Sequence, residues 1–189
     1  SEFDKKRLTL YPGGAMAGIY ARVDRSRGVW KAPANVSLNL VEEPNILVTA
    51  EEQAPLNVDA DTGKSINVIR KFYQKGTIVW GARTLAPAAS EWRYINVRRL
   101  FNMIKESIAE STRWVVFQPN DEDLWMGIKR DVSAFLTQIW RQGALFGSTP
   151  EEAFFVQCDA ELNPPEVRDA GKVITRIGLA PVKPAEFVI

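Results

Sequence analysis

Two long stretches near the middle of the chain repeat apolar residues at the spacing of an α-helix, and they restrict the fold more than any other feature. In residues 87–112, PAASEWRYINVRRLFNMIKESIAEST, the residues Val97, Leu100, Phe101, Ile104 and Ile108 fall on one stripe. Ser90 is placed to cap this helix, with Glu91 in its first turn. In residues 121–145, DEDLWMGIKRDVSAFLTQIWRQGAL, a second stripe is formed by Leu124, Ile128, Val132, Phe135, Leu136 and Ile139. Its acidic start (Asp121, Glu122, Asp123) suits the positive end of a helix, and Gly143 suits its stop. A shorter helix is expected over 15–29, with Met16, Ile19, Tyr20 and Val23 on one face.

Between and around these helices lie short β-prone runs. LNLVEEPNILVTAEE (38–52) reads as strand, turn, strand, and INVIRKFY and GTIVWGARTL read as two strands joined by Gln74-Lys75-Gly76. RWVVFQPN (113–120) reads as a short buried strand ended by Pro119, and FFVQCD (154–159) as another. STPEEAF suggests a capped single helical turn, NPPEVRDAG a turn plus a short helix, and the segment 171–189 one or two further strands. The order predicts an α/β (α+β) domain, a mixed β-sheet flanked by helices. The 189 residues are expected to form one domain, with a linker over 1–14 and a polar surface loop over 57–65.

Composition narrows the chemistry. There is no histidine, so the commonest general base and metal ligand is missing. The single cysteine, Cys158, can form no internal disulfide and no cysteine zinc site, and behind Phe154-Phe155-Val156 it reads as a core residue. With 24 basic and 23 acidic residues, the chain lacks the cationic surplus of a duplex-DNA binder. No apolar run approaches the roughly 20 residues of a membrane-spanning helix. The glycines of YPGGAMAG (11–18) lack the lysine and spacing of a phosphate loop. The Asp59/Asp61 pair lacks the ligand ladder of a calcium loop. Paired carboxylates at 42–43, 51–52, 121/123 and 151–152 suggest helix caps and solvated loops rather than acid–base pairs. No cofactor and no metal are expected. Two other function classes stay open on the residues alone: an α/β enzyme using Asp or Glu, and a nucleic-acid-binding module built on the arginines of RYINVRRL.

Two segments ask for an explanation. VWGARTL (79–85) runs from an apolar strand through Gly81 to Arg83. On the residues alone Arg83 stays open as a catalytic arginine, a phosphate ligand or a piece of architecture. PVKPAEFVI (181–189) is an apolar, two-proline run suited to a sheet edge, and an unpaired apolar edge is an aggregation hazard unless a neighbour covers it. The chain opens at Ser1 and stops inside this apolar run, so a piece of a longer protein is expected.

Seven blocks in order carry a family resemblance: GIYARVDRSRGVWKAPAN (18–35), INVIRKF (66–72), VWGARTL (79–85), EWRYINVRRL (91–100), PNDEDLW (119–125), WRQGALFGSTPEEAFFVQCD (140–159) and IGLAPVKPAEFVI (177–189). Together they resemble the C-terminal region of contractile phage tail sheath proteins, a module shared with R-type pyocins and phage-like contractile injection systems. The NVDADTGKS loop (57–65) is longer and more polar than the family's usual join there, which suggests a surface insertion. The resemblance implies a structural, non-enzymatic subunit. It implies a homo-oligomer of neighbouring sheath subunits, stacked as rings in six-fold helical symmetry around an inner tail tube, assembled in the bacterial cytoplasm and working in a virion tail or released particle. It implies no nucleic acid and no membrane contact for this domain. Under it, Val182, Lys183, Pro184, Ala185, Glu186, Phe187, Val188 and Ile189 are expected to form an intersubunit strand. Arg93, Arg98, Arg99 and Lys105 are expected to face the tube or a neighbour, and VWGARTL is expected to be architecture: Val79 and Trp80 in a core strand, Gly81 where a side chain would obstruct, and Arg83 as a buried or interface ion-pair partner.

Overall fold

The computed structural model describes residues 8–187, and these divide into two compact units, 8–96 and 97–187. The N-terminal unit starts with helix α1 (Gly13–Arg27), whose inward face supplies Ile19 and Val23. They pack with Val79 as a small core, flanked by Met16, Tyr20, Val36 and Leu38. The sheet of this unit has the order β1-β3-β2 and is antiparallel throughout. Strand β1 is only Val36–Ser37, while β2 (Val68–Phe72) and β3 (Gly76–Trp80) form a hairpin in which Val68 opposes Trp80 and Phe72 opposes Gly76. Gln74 and Gly76 adopt φ of 59° and 78°, which lets the chain reverse in a short tip.

The segment 38–52 departs from the expected pair of strands. After β1 the chain is irregular until Thr49, which caps helix α2 (Ala50–Asn57). Thr49 Oγ1 accepts from the Glu52 N–H at 3.2 Å, and Glu52 Oε2 accepts from the Thr49 N–H at 2.8 Å. This reciprocal cap outweighs the local β-propensity of Ile46-Leu47-Val48.

Helix α3 (Ile95–Ser111) begins after a 3₁₀ turn over Glu91–Arg93, and Ser90 caps that turn rather than the helix itself. Val97, Leu100 and Ile104 are buried along it. Residues 113–120 are not a strand. Arg113–Val115 make a 3₁₀ turn closed by short-range bonds, and Trp114, Val116 and Phe117 are exposed. With no neighbouring backbone to pair, the β-prone side chains of this connector cannot form a ladder.

Helix α4 (Glu122–Arg141) buries Leu124, Trp125, Ile128, Val132, Leu136 and Ile139, and the Asp121 carboxylate caps it through the Leu124 N–H at 3.1 Å. It packs against β4 (Phe154–Gln157) and the single turn α5 (Pro150–Ala153). After the short α6 (Pro165–Asp169), β5 (Arg176–Leu179) pairs antiparallel with β4. The α+β class therefore holds, with the strands shared between two small antiparallel sheets, one in each unit. Among the described residues no helix is long and apolar enough to cross a membrane.

Candidate assembly surfaces

The VWGARTL segment is held from two sides. Beyond β3, residues 82–84 run antiparallel to 93–95: the Thr84 N–H donates to Arg93 O at 2.8 Å and the Ile95 N–H to Ala82 O at 3.0 Å. On the other side the Asn67 carboxamide grips Arg83. Its Nδ2 donates to Arg83 O and its Oδ1 accepts the Arg83 N–H, both at 2.8 Å. Gly81 makes this approach possible, since a Cβ there would lie 2.8 Å from Asn67 Oδ1 and 2.9 Å from Asn67 Cα. The guanidiniums of Arg83 and Arg93 lie 5.8 and 5.0 Å from the centroid of the Tyr94 ring. Trp80 lies in β3, but its side chain is 38% exposed and pairs with Phe72 on the outer face. The buried positions of that strand are Thr77, Ile78 and Val79.

The four basic residues expected at a partner surface do not share one environment. Arg98 and Lys105 are exposed and two turns apart on α3, hence on one face. Arg99 is half-buried, and Arg93 is half-buried with its guanidinium donating to Ala88 O at 2.7 Å. Of the C-terminal segment, Val182 donates its N–H to Ala144 O at 3.3 Å, while residues 182–187 lie in no helix or strand. Val188 and Ile189 fall outside the described residues.

Several of the acidic residues serve as caps and loop ties. Glu52 and Asp121 cap helices, and Glu152 Oε2 accepts the Ser148 N–H at 2.7 Å. The Glu51 carboxyl, fully exposed, is held below its ordinary pKa first by a backbone N–H and then by Thr49. Asp59 Oδ1 accepts from the Thr62 N–H at 2.7 Å, the Thr62 hydroxyl at 2.8 Å and the Asp61 N–H at 3.2 Å, which depresses its pKa. Among the described residues no group of three or more Cys, Asp or Glu is arranged to hold a metal. Cys158 is buried, and burial raises its pKa, the opposite of what a nucleophile needs.

One residue that the sequence did not single out organises the C-terminal unit. Asn163 is 1% exposed, and its Nδ2 donates to Asp159 O at 3.0 Å and Ile174 O at 3.1 Å. Its Oδ1 accepts the Ile174 N–H at 2.6 Å. Asn followed by two prolines reads as a plain turn; only the packing shows that its side chain points inward.

Clamps and caps of this kind fix the backbone between short elements in both units. Comparison with known proteins gives the chain a family. The family model of the phage tail sheath C-terminal domain matches residues 88–189, more than half of the chain, and the chain belongs to that family. The tail sheath protein of Vibrio phage KVP40 is 30% identical over 175 residues, covering 93% of this chain and 25% of that protein. The tail sheath protein of Burkholderia phage BcepMu is 31% identical over 163 residues, covering 84% of this chain and 32% of that protein. The contracted PVC sheath complex of an extracellular contractile injection system superposes with a TM-score of 0.90 at 46% identity, over 97% of this chain and 51% of that one. The contracted helical sheath of the anti-feeding prophage gives 0.87 at 42%, over 96% of this chain and 50% of that one. The chain thus spans about a quarter to a third of the curated relatives and about half of the solved sheath chains.

Proposed function

We propose that the chain is the C-terminal module of a contractile sheath subunit, in which copies stack as rings with six-fold helical symmetry around an inner tube. Contraction of that lattice drives the tube through a target envelope. The role is structural and not catalytic, and its place is a virion tail or a released extracellular particle after assembly in the bacterial cytoplasm. The observation that carries this reading is the match to the contracted PVC sheath at a TM-score of 0.90 and 46% identity.

Under the same reading, Val182–Ile189 add a strand to a neighbouring copy. The β4–β5 ribbon has only two strands, a number that is marginal alone in water and gains from augmentation. Arg98 and Lys105 on the open face of α3, with Arg93 and Arg99 beside them in sequence, meet the tube or a neighbour. The test is electron microscopy of the parent protein co-expressed with the tube protein of its own gene cluster. Hollow striated or contracted cylinders are expected, and they should be lost when residues 182–189 are removed. Dispersed subunits beside bare tubes would overturn the polymer reading. Arg98→Glu with Lys105→Glu should weaken tube binding and flatten its salt dependence.

A further inference from the structure

Among the described residues, an exposed hairpin tip in the N-terminal unit and a hollow in the C-terminal unit carry complementary chemistry. The tip belongs to the β2–β3 hairpin. Tyr73 stands 90% exposed there, with Lys71 and Lys75 on either side of it in sequence. Lys71 is bridged to Glu43 at 2.9 Å, and Lys75 is exposed at the tip. The hollow lies in the C-terminal unit, an open depression of about 700 Å³ at the start of α4. Trp114, Pro119 and Met126 give it apolar walls, with Trp114 44% and Met126 56% exposed. Asp121 and Asp123 line its edge next to Glu122, and Arg130, the cation of the lining, is engaged by Asp131 at 3.0 Å.

We propose that the hairpin tip of one copy seats in this hollow of a second copy, with Tyr73 against Trp114 and Met126 and Lys75 beside Asp123. The argument is one of complementary shape and charge. A convex tip with one aromatic and an exposed lysine meets a concave, largely apolar surface edged by the carboxylates of Asp121 and Asp123. An amphipathic tyrosine flanked by cation is the kind of anchor that such a hollow desolvates well. The two patches differ, so the contact is head-to-tail. It propagates from copy to copy instead of closing on itself as a two-fold pair, and that is the interface type a helical sheath requires. This contact rests on the sheath reading but names a different surface from the C-terminal strand.

Charge exchange between copies tests it. Sedimentation velocity at low ionic strength is run on the 189-residue chain, on Lys75→Glu, on Asp123→Lys and on an equal mixture of the two variants, each first checked for folding by circular dichroism. The unaltered chain should associate with rising concentration. Each variant alone should associate roughly tenfold more weakly or worse, because like charges then face each other in every contact. The mixture should regain association. There the acidic tip of the Lys75→Glu variant faces the basic rim of the Asp123→Lys variant, while the reverse contact keeps both original residues. Tyr73→Ala should weaken association without altering its salt dependence. A chain that stays monomeric at all concentrations, variants that associate like the original, or a mixture that stays dispersed would each overturn the contact. If the parent protein carrying Lys75→Glu still forms cylinders of normal order, the sheath reading stands and this contact falls.

Discussion

In the N-terminal unit the Asn67 carboxamide holds the backbone of Arg83, and in the C-terminal unit the Asn163 carboxamide holds the backbone of Ile174. The bonding pattern is the same: one donor and one acceptor of a side chain stand in for a missing strand neighbour. The surroundings are opposite. Asn67 is exposed and water competes for both of its bonds, whereas Asn163 is 1% exposed and adds a third bond to Asp159 O. A hydrogen bond in water contributes little beyond what solvent would supply, while a buried group left without its partner loses the full solvation it gave up. The two clamps should therefore differ more in their removal than in their geometry.

The largest expected effect is at the buried clamp. Asn163→Ala removes a buried side chain that ties the Ile174 N–H and the Asp159 and Ile174 carbonyls, and should cost about 3 kcal/mol of stability by chemical denaturation. It should also open the region around Cys158, whose sulfur lies 3.9 Å from Asn163 Nδ2. Thiol labelling should be slow in the folded chain, because burial both shields the sulfur and raises its pKa. In the variant it should accelerate by roughly tenfold or more. If Asn163→Ala costs no more than Asn67→Ala, burial is not what separates the two clamps.

Next in size is Gly81→Ala. The new methyl would sit within 2.9 Å of the Asn67 Cα, a backbone atom that cannot rotate away. Separation of the β2 end from residue 81 should cost about 2 kcal/mol and break the Asn67–Arg83 bonds. Asn67→Ala alone should cost only about 1 kcal/mol, because water can satisfy the Arg83 N–H and carbonyl. In the double variant the two losses should overlap, since both report on the same clamp. Full additivity would mean that Gly81 serves some purpose other than admitting Asn67.

This contrast also marks what the sequence could and could not tell. The stripe of α4 was legible because apolar residues at helical spacing need no tertiary knowledge, and its acidic cap sits next to them in the chain. Gly81 was legible as a crowded position, but not the residue that crowds it, Asn67, which belongs to the approach to the neighbouring strand. The helix α2 had a local signal, Thr49 with Glu52 in the third helical position, that competed with the β-branched run before it. The segment 113–120 misled for a related reason: Trp114, Val116 and Phe117 favour strands, but a strand exists only where a partner backbone lies alongside, and none does. Asn163 left no signal, since inward and outward asparagines before proline look alike. The family resemblance was legible in seven short blocks and gave the assembly reading that neither periodicity nor composition could reach.

The smallest effect separates the two units by pH. Asp59 closes the 58–65 loop of the N-terminal unit through three donors, the Thr62 N–H, the Thr62 hydroxyl and the Asp61 N–H, and these hold its folded pKa below the ordinary aspartate value. A depressed folded pKa stabilises the folded loop at pH values above the unfolded value of about 4, and this contribution is lost as pH falls through the folded pKa. Because the carboxylate is fully exposed, the effect should stay local. Amide exchange at Asp61, Thr62 and Gly63 should accelerate, relative to its intrinsic rate, as pH drops from about 5 toward 3, while exchange at Ile174, held by the neutral Asn163, should not change over the same range. Asp59→Asn should remove the pH dependence at 61–63 and leave Ile174 untouched. A matched change at both places would mean that the two units lose structure together, and that the local account of the Asp59 loop is wrong.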